Sequence, residues 1–542
     1  MCKLFRRLST FILCAIMFMA FGTAAEAADN HDKGKIIFIP HDNRPVSDQQ
    51  AADTIRNLGY EVIVPPDNML GGRDFLGDPD ALWCWLEEQT GKGKNSDKKK
   101  NIKAVVMSAD SMIYGSLVAS RKHELPEAKL KERVSRFAAY HKLHPSLPVY
   151  VWSSIMRTPK SGRYSGSEEP EYYKSYGQDI FRYTALMDKA EAESLDEREK
   201  KELAFLTTLI PPDALADWMA RRNKNFAVNK SMIDLARKNV FTYYAIGRDD
   251  NAPYSQTHME SRRLSQYAKS LGSNNFQNMA GIDEFAMLLL TRAVNELNGE
   301  KPLVYVKYNW GEGPRTIPSY SDEPISKTIS EHIISAGGKS AMNAQEADLV
   351  LLVNTYPDGT TSEANWAVNG DNLKPSDRFF TNLVAEAVAS GQHVAVADVA
   401  YANGADNALL TEMRRQGLLF KIQAYSGWNT ATNSTGFVLG QGMLTRHMEV
   451  AAKNQLLLIR YLDDWAYQAN VRQSMSRQLG WFKGEGMYSD LAGKQDIIEM
   501  RTTRMMNSFV ANNFPPLKGL GEIVVTFPWR RMFEAGIKFA IK

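Results

Sequence analysis

Lys35-Ile36-Ile37-Phe38-Ile39, followed by Pro40-His41-Asp42-Asn43-Arg44-Pro45, is the stretch whose reading decides the fold. Its apolar residues are continuous, whereas a strand wetted on one face alternates apolar and polar side chains. The pattern recurs at Glu61-Val62-Ile63-Val64, Ala104-Val105-Val106-Met107, Val149-Tyr150-Val151-Trp152 and Phe241-Thr242-Tyr243-Tyr244-Ala245. Further runs follow at Leu303-Val304-Tyr305-Val306, Leu349-Val350-Leu351-Leu352-Val353, His393-Val394-Ala395-Val396-Ala397 and Lys421-Ile422-Gln423-Ala424. Amphipathic stretches separate them. Doubly buried strands alternating with helices define an α/β protein with parallel sheets covered by helices on both faces. Two layouts satisfy this pattern. One is a (β/α)-barrel-like body with a smaller α/β domain, and the other is two successive doubly wound domains.

A first α/β domain is expected over 35–300, ending near Asn298-Gly299-Glu300-Lys301-Pro302. Within it, about 160–238 is polar, Tyr-rich and then helical, and reads as an inserted helical cap. A second α/β domain is expected over 301–460. The remainder, 461–542, reads as a helical C-terminal extension opening on Asp463-Asp464-Trp465-Ala466-Tyr467-Gln468, with a strand signal at 522–527. The basic run from Lys92 to Lys100 reads as a solvated loop.

Lys3, Arg6 and Arg7 precede an apolar run from Phe11 to Phe21, and Ala25-Glu26-Ala27 supplies small residues for a signal peptidase. Residues 1–27 are therefore expected to be a cleaved signal peptide, the run being shorter than the roughly 20 apolar residues a span requires. Cleavage predicts a secreted or periplasmic protein with no membrane span. It also removes Cys2 and Cys14, leaving Cys84, which is expected to be a buried small hydrophobe. The formal charge of the 542-residue chain is +3, with basic residues scattered, so no nucleic-acid partner is implied.

Ligands of parallel α/β folds bind at the carboxyl ends of strands. There the sequence places Asp42 and Arg44, then Asp110, then Arg248-Asp249-Asp250-Asn251, Asp283 and Asn309-Trp310. Asp398, Asn403, Trp428 and Asn429 follow the later strands. Aspartate and asparagine are also favoured helix N-caps, so each one singly has a structural alternative. Asp249-Asp250 is the sharpest element: neighbouring carboxylates in unlike environments divide into an acid and an ionised partner. They are the expected catalytic pair. Asp42, Arg44, Asp110, Asp283, Asn309, Asp398, Asn403, Trp428 and Asn429 are the expected substrate-binding residues, the aromatics and amides suiting a sugar. No metal-ligand spacing, dinucleotide motif, phosphate loop or Gly-x-Ser-x-Gly elbow occurs, and no cofactor is implied.

Five stretches resemble a bacterial family known as domain of unknown function 4127: Ile39 to Pro45, Ser108 to Arg121, Gly247 to Tyr254, Gly427 to Gly436, and Asp463 to Gln468. They span nearly all of the chain beyond the signal, and the resemblance implies the extent of the fold without implying an activity. The residues themselves point to an exported glycosidase-like hydrolase, with acetamido sugars as the natural substrate for an Asp-Asp pair. A non-catalytic extracytoplasmic protein that binds a glycan or other small ligand is the second reading, and a metal-dependent hydrolase using His41 is the third.

Overall fold

The computed structural model describes residues 33–91, 96–160, 168–481, 486–514, 517 and 519–541; the expected signal peptide lies outside them. Strands β1 (Lys35–Ile39), β2 (Glu61–Ile63), β3 (Ile102–Ser108), β4 (Val149–Ile155), β5 (Tyr243–Arg248) and β6 (Phe276–Ala280) form one parallel sheet in the order β2-β1-β3-β4-β5-β6. A second parallel sheet contains β7 (Leu303–Tyr308), β8 (Lys339–Ser340), β9 (Leu349–Asn354), β11 (Val394–Asp398) and β13 (Ala424–Ser426), in the order β13-β11-β9-β7-β8. Two-residue strands β10 (Ser362–Glu363) and β12 (Tyr401–Ala402) pair beside it, and β14 (Val524–Thr526) and β15 (Gly536–Lys538) make an antiparallel hairpin in the tail. Both main sheets are open, so of the two layouts the doubly wound one is realised rather than the barrel.

The strand orders locate the edge at which a crevice opens. The chain leaves β1 toward β2 and returns on the other side as β3; it leaves β7 toward β8 and returns as β9. Each reversal splays the flanking loops apart at the carboxyl edge, which opens a crevice. Helices Phe285–Leu297 and Ala431–Thr445 lie between the sheets, and from Phe285 to Asn295 and from Ala431 to Thr445 every residue is buried. A single apolar core runs from Ile36, Phe38 and Trp152 through Leu288, Leu289 and Phe437 to Leu351 and Ala395. Each such side chain contributes about 1.5–3 kcal/mol by leaving water, so the sheets are welded by one shared core.

Several local expectations shift. β4 and β5 run three residues beyond or past their apolar runs, because the polar residues there find buried partners: Ser153 Oγ bonds Asn229 Oδ1 at 2.9 Å and Tyr244 OH at 2.7 Å. β6 carries Gln277 and Asn278, and the sequence shows no apolar run there. β13 runs over Ala424–Ser426, beginning three residues later than the expected Lys421–Ala424, so Tyr425 and Ser426 are strand residues. Cys84 is exposed: helix Pro79–Thr90 turns Leu82, Trp83, Trp85 and Leu86 inward and leaves position 84 outside. Ser96–Lys99 of the basic run is helical, and Asp97 within it is buried against His144 at 2.9 Å. The cap region holds helices Tyr173–Ala192, Glu197–Leu209 and Pro212–Arg237. The tail opens on a π-helix, Tyr461–Val471. Among the described residues no helix is long and apolar enough to cross a membrane.

The two central helices approach at glycines. A Cβ on Gly436 would meet Glu284 Cγ at 2.4 Å and Cβ at 2.9 Å, and one on Gly440 would meet Thr291 Oγ1 at 2.9 Å. Gly436→Ala is therefore expected to wedge the helices apart and cost about 1–3 kcal/mol. It should lower the denaturant midpoint of unfolding without changing the slope; an unchanged midpoint would show that the helix pair has slack.

Candidate active site

A cavity of about 700 Å³ opens where the carboxyl ends of the two sheets face each other. Loops after β1, β4, β5, β6, β12 and β13 reach it, and so does the tail, through Gln473, Trp481, Tyr488, Arg531 and Phe533. A smaller depression of about 370 Å³, lined by Leu373, Pro375, Arg378, Phe379 and Asn382, carries one charged group and no acid–base pair.

The floor is an ion cluster built on the loop after β1. Arg44 Nη2 lies 2.8 Å from Asp42 Oδ2 and 2.6 Å from Asp283 Oδ1, and its Nε donates to Asp42 Oδ2 at 2.9 Å. Asp283, from the loop after β6, also accepts from Asn429 Nδ2 at 3.2 Å and Asn433 Nδ2 at 3.3 Å, which belong to the second sheet's side. Burial opposes the charge on both groups. The two aspartates nevertheless hold Arg44 well above its ordinary pKa, and Arg44 with His41 holds Asp283 well below its own. His41 is fully buried beneath them. Trp152 Nε1 approaches His41 Nδ1 at 3.4 Å from one side of the ring, and Arg44 Nη2 stands 3.0 Å from Nε2 on the other. His41 Nε2 is also 3.1 Å from Ser47 Oγ and 3.3 Å from Asp283 Oδ1.

Above the floor, four distant chain segments bring arginines and carboxylates together. Arg121 ends helix Leu117–Lys122, Arg157 follows β4, Asp249 and Asp250 follow β5, and Arg531 lies between β14 and β15. Arg121 bonds Asp249 Oδ2 at 2.6 Å, and Arg157 bonds Asp250 Oδ2 at 2.7 Å while lying 3.8 Å from Asp249. Glu168 receives Arg121 and Arg531, each at 2.8 Å, with Arg157 at 3.3 Å. Despite burial, these guanidiniums hold Glu168 well below the usual carboxylate range. Asp250 moves the other way: burial, and then the charge of Asp249, push it up to about 7, although 26% of its side-chain surface still faces the cavity. The helix after it is capped by Ser255, and Arg248 pairs with Asp322 and Glu323, so neither aspartate of the pair is spent on those structural roles.

Backbone strain gathers at the same place. Eight non-glycine residues among those described have positive φ, and four of them line this cavity: Asp250 at 41°, Tyr320 at 66°, Asn403 at 62° and Asn429 at 59°. Such conformations cost about 1 kcal/mol or more each and persist where the surroundings impose them. Asn403 N donates to Asn429 O at 2.7 Å, so two of the strained loops brace each other.

Of the residues expected from the sequence, Arg44, Asp249, Asp250, Asp283, Asn403 and Asn429 line the cavity. The others are buried and serve it indirectly. Asp42 holds Arg44. Asp110, pushed up to about 7 by burial, accepts Ser154 N at 3.0 Å. Asn309 and Asp398 belong to a ladder across the ends of β7, β9, β11 and β13: Asn309 donates to Asn354 at 2.9 Å, Asn354 to Asp398 at 3.0 Å, and Tyr425 OH to Asp398 at 2.7 Å. Trp428 is buried in the shared core and packs on Phe533, which does face the cavity. Of the other aromatics near the strand ends, Tyr114 and Tyr425 are buried and Trp310 stands outside the lining. Arg121, Arg157, Glu168, Arg531, Tyr320, Glu363 and Trp366 were not expected there. Arg157 had a signal, since it follows a strand; the others sit in a helix end, loops, the two-residue strand β10 and the tail. Among the described residues no three His, Cys, Asp or Glu side chains are placed to hold a metal ion, and Arg44 Nη2 already stands 3.0 Å from His41 Nε2.

The raised pKa of Asp250 has a definite consequence for stability. Its folded value, about 7, exceeds its ordinary 3.8, so folding takes up a proton between those limits. The contribution is intact below about pH 4 and is lost as pH rises through about 7. In Asp250→Asn, melting temperatures relative to wild type should therefore improve from pH 4 to pH 8. A difference that stays flat across this window would refute the shift.

No curated protein and no solved structure matches the chain. The family model described as "Protein of unknown function (DUF4127)" matches residues 36–538, nearly the whole chain. The chain belongs to that family.

Proposed function

We propose that the protein is exported and hydrolyses a glycan in this cavity, with Asp250 as the acid and Asp249 as its partner. The observation that carries the reading is Asp250 itself: a strained carboxyl group, open to the cavity, poised near 7 beside a second carboxylate. A group at that value is part protonated at neutral pH, as proton donation to a leaving oxygen requires. For an acetamido sugar, Asp249 would bond the acetamide N–H while the acetamide oxygen attacks the anomeric carbon. The glycosidic C–O bond breaks and the departing oxygen takes the proton of Asp250. Water then attacks the anomeric carbon, the bond from that carbon to the acetamide oxygen breaks to restore the acetamide, and the water's proton returns to Asp250. Asn251, Asn365, Asn403, Asn429 and Gln473 supply amides for hydroxyl groups, and Tyr320, Trp366, Trp481, Tyr488 and Phe533 supply apolar faces. Export rests on the charged start, apolar run and Ala25-Glu26-Ala27 site.

A binding protein without turnover is the second reading. It is favoured by the salt bridges of Asp249 to Arg121 and Asp250 to Arg157, which occupy both carboxylates.

On the hydrolase reading, Asp250→Asn lowers kcat by roughly 100-fold or more while the affinity for substrate stays near that of wild type. Wild-type turnover falls as pH rises through about 7. Tight glycan binding by the wild type without bond cleavage would establish the binding reading instead. Export predicts that protein recovered from outside the cytoplasm begins at Ala28; a chain retaining its first 27 residues would contradict it.

A further inference from the structure

The second sheet's side of the cavity mouth is built from two loops that run side by side, 309–321 and 355–366. Glu312 N donates to Pro357 O at 2.9 Å, Ser319 Oγ to Thr361 O at 3.3 Å, and Tyr320 OH to Glu363 Oε1 at 2.9 Å. At the cavity end stand Tyr320, 39% exposed, and Trp366, 58% exposed, both on the lining. A tryptophan left this far in water contributes little to folding, yet its backbone is firmly held. Trp366 N bonds Glu363 O and Asn369 N bonds Trp366 O, each at 3.0 Å. The Asn369 amide donates to Ala364 O and Ala405 O and accepts from Asn407 N. Tyr320 is fixed to the carboxylate pair, since its carbonyl accepts from Asn251 N, the residue after Asp250, at 3.0 Å. Glu363 is shared: its second oxygen accepts from Asn403 Nδ2 at 2.7 Å.

A wetted aromatic surface, rigidly placed at the mouth and tied to the reacting carboxylates, suits a ligand that leaves the cavity rather than one enclosed by it. The apolar C–H face of a pyranose lies on an indole or phenol ring while its hydroxyls stay in water on the open side. We infer that the ligand is a sugar chain of at least two units, one at Asp249 and Asp250 and the next against Tyr320 and Trp366. This inference rests on the glycan reading above and names the substrate as oligomeric.

The test is calorimetric titration of N-acetylglucosamine and its linear oligomers into the full chain, in the Asp250→Asn background so that turnover does not interfere. The readout is the ratio of trisaccharide to monosaccharide affinity, which a general loss of binding does not imitate. The ratio should be about tenfold, fall toward one in Trp366→Ala, and recover in Trp366→Phe, with the cooperative melting transition kept in both. Binding that ignores chain length, or a ratio unchanged by Trp366→Ala, overturns the oligomer inference and leaves the glycan reading standing. If no member of the series binds, the glycan reading falls and this inference with it.

Discussion

Arg44 is the group on which the arrangement depends. A guanidinium buried this deeply is tolerable only if its charge is matched and its donors are used, and Asp42 and Asp283 do both. Asp42 comes from the same loop, but Asp283 comes from the far edge of the first sheet and is itself held by Asn429 and Asn433 from the second. Satisfying one cation therefore fixes the relative position of the carboxyl edges of both sheets. Trp529 extends the reach to the tail, stacking its ring 5.0 Å from Arg44 and donating to Asn43 at 2.8 Å.

The shared core makes that geometry stiff. The helices are covered on every side from Phe285 to Asn295 and from Ala431 to Thr445, and their glycine contacts leave no room for sliding. Against this frame the loops at the cavity carry strained backbone at Asp250, Tyr320, Asn403 and Asn429. The cost is met by the packing beneath, and its product is a set of side chains aimed into one space. The arginine–carboxylate layer adds an electrostatic division of labour. Glu168 is held ionised by three guanidiniums, whereas Asp250, crowded by Asp249 and burial, is driven toward its neutral form.

The strand series, the parallel character of the sheets and the edge at which polar residues gather are all legible in the sequence, because doubly buried strands leave continuous apolar runs. β6 escaped because its polar residues are satisfied by neighbours distant in sequence, such as Gln277 with Glu331 and Asn278 with Ser261. At the site, Asp249 and Asp250 stood out by adjacency, and Arg44 by following a strand. Asp398 and Asn309 stood out on the same ground, yet they became a buried ladder. Position after a strand does not say whether a side chain turns toward the crevice or along the sheet edge.

By itself the sequence determined the class of fold, the edge where polar residues gather and the adjacent carboxylates, since periodicity and spacing are local properties of a chain. Only the tertiary structure decided that the two sheets share one core and that the tail supplies Arg531 and Phe533. It alone placed Arg121, Arg157 and Glu168 around the carboxylates and turned Asp250 toward its neutral form. Those outcomes depend on contacts between residues tens to hundreds of positions apart, Arg531 and Glu168 among them. Charge and burial at a point are sums over such neighbours, and no local pattern records them.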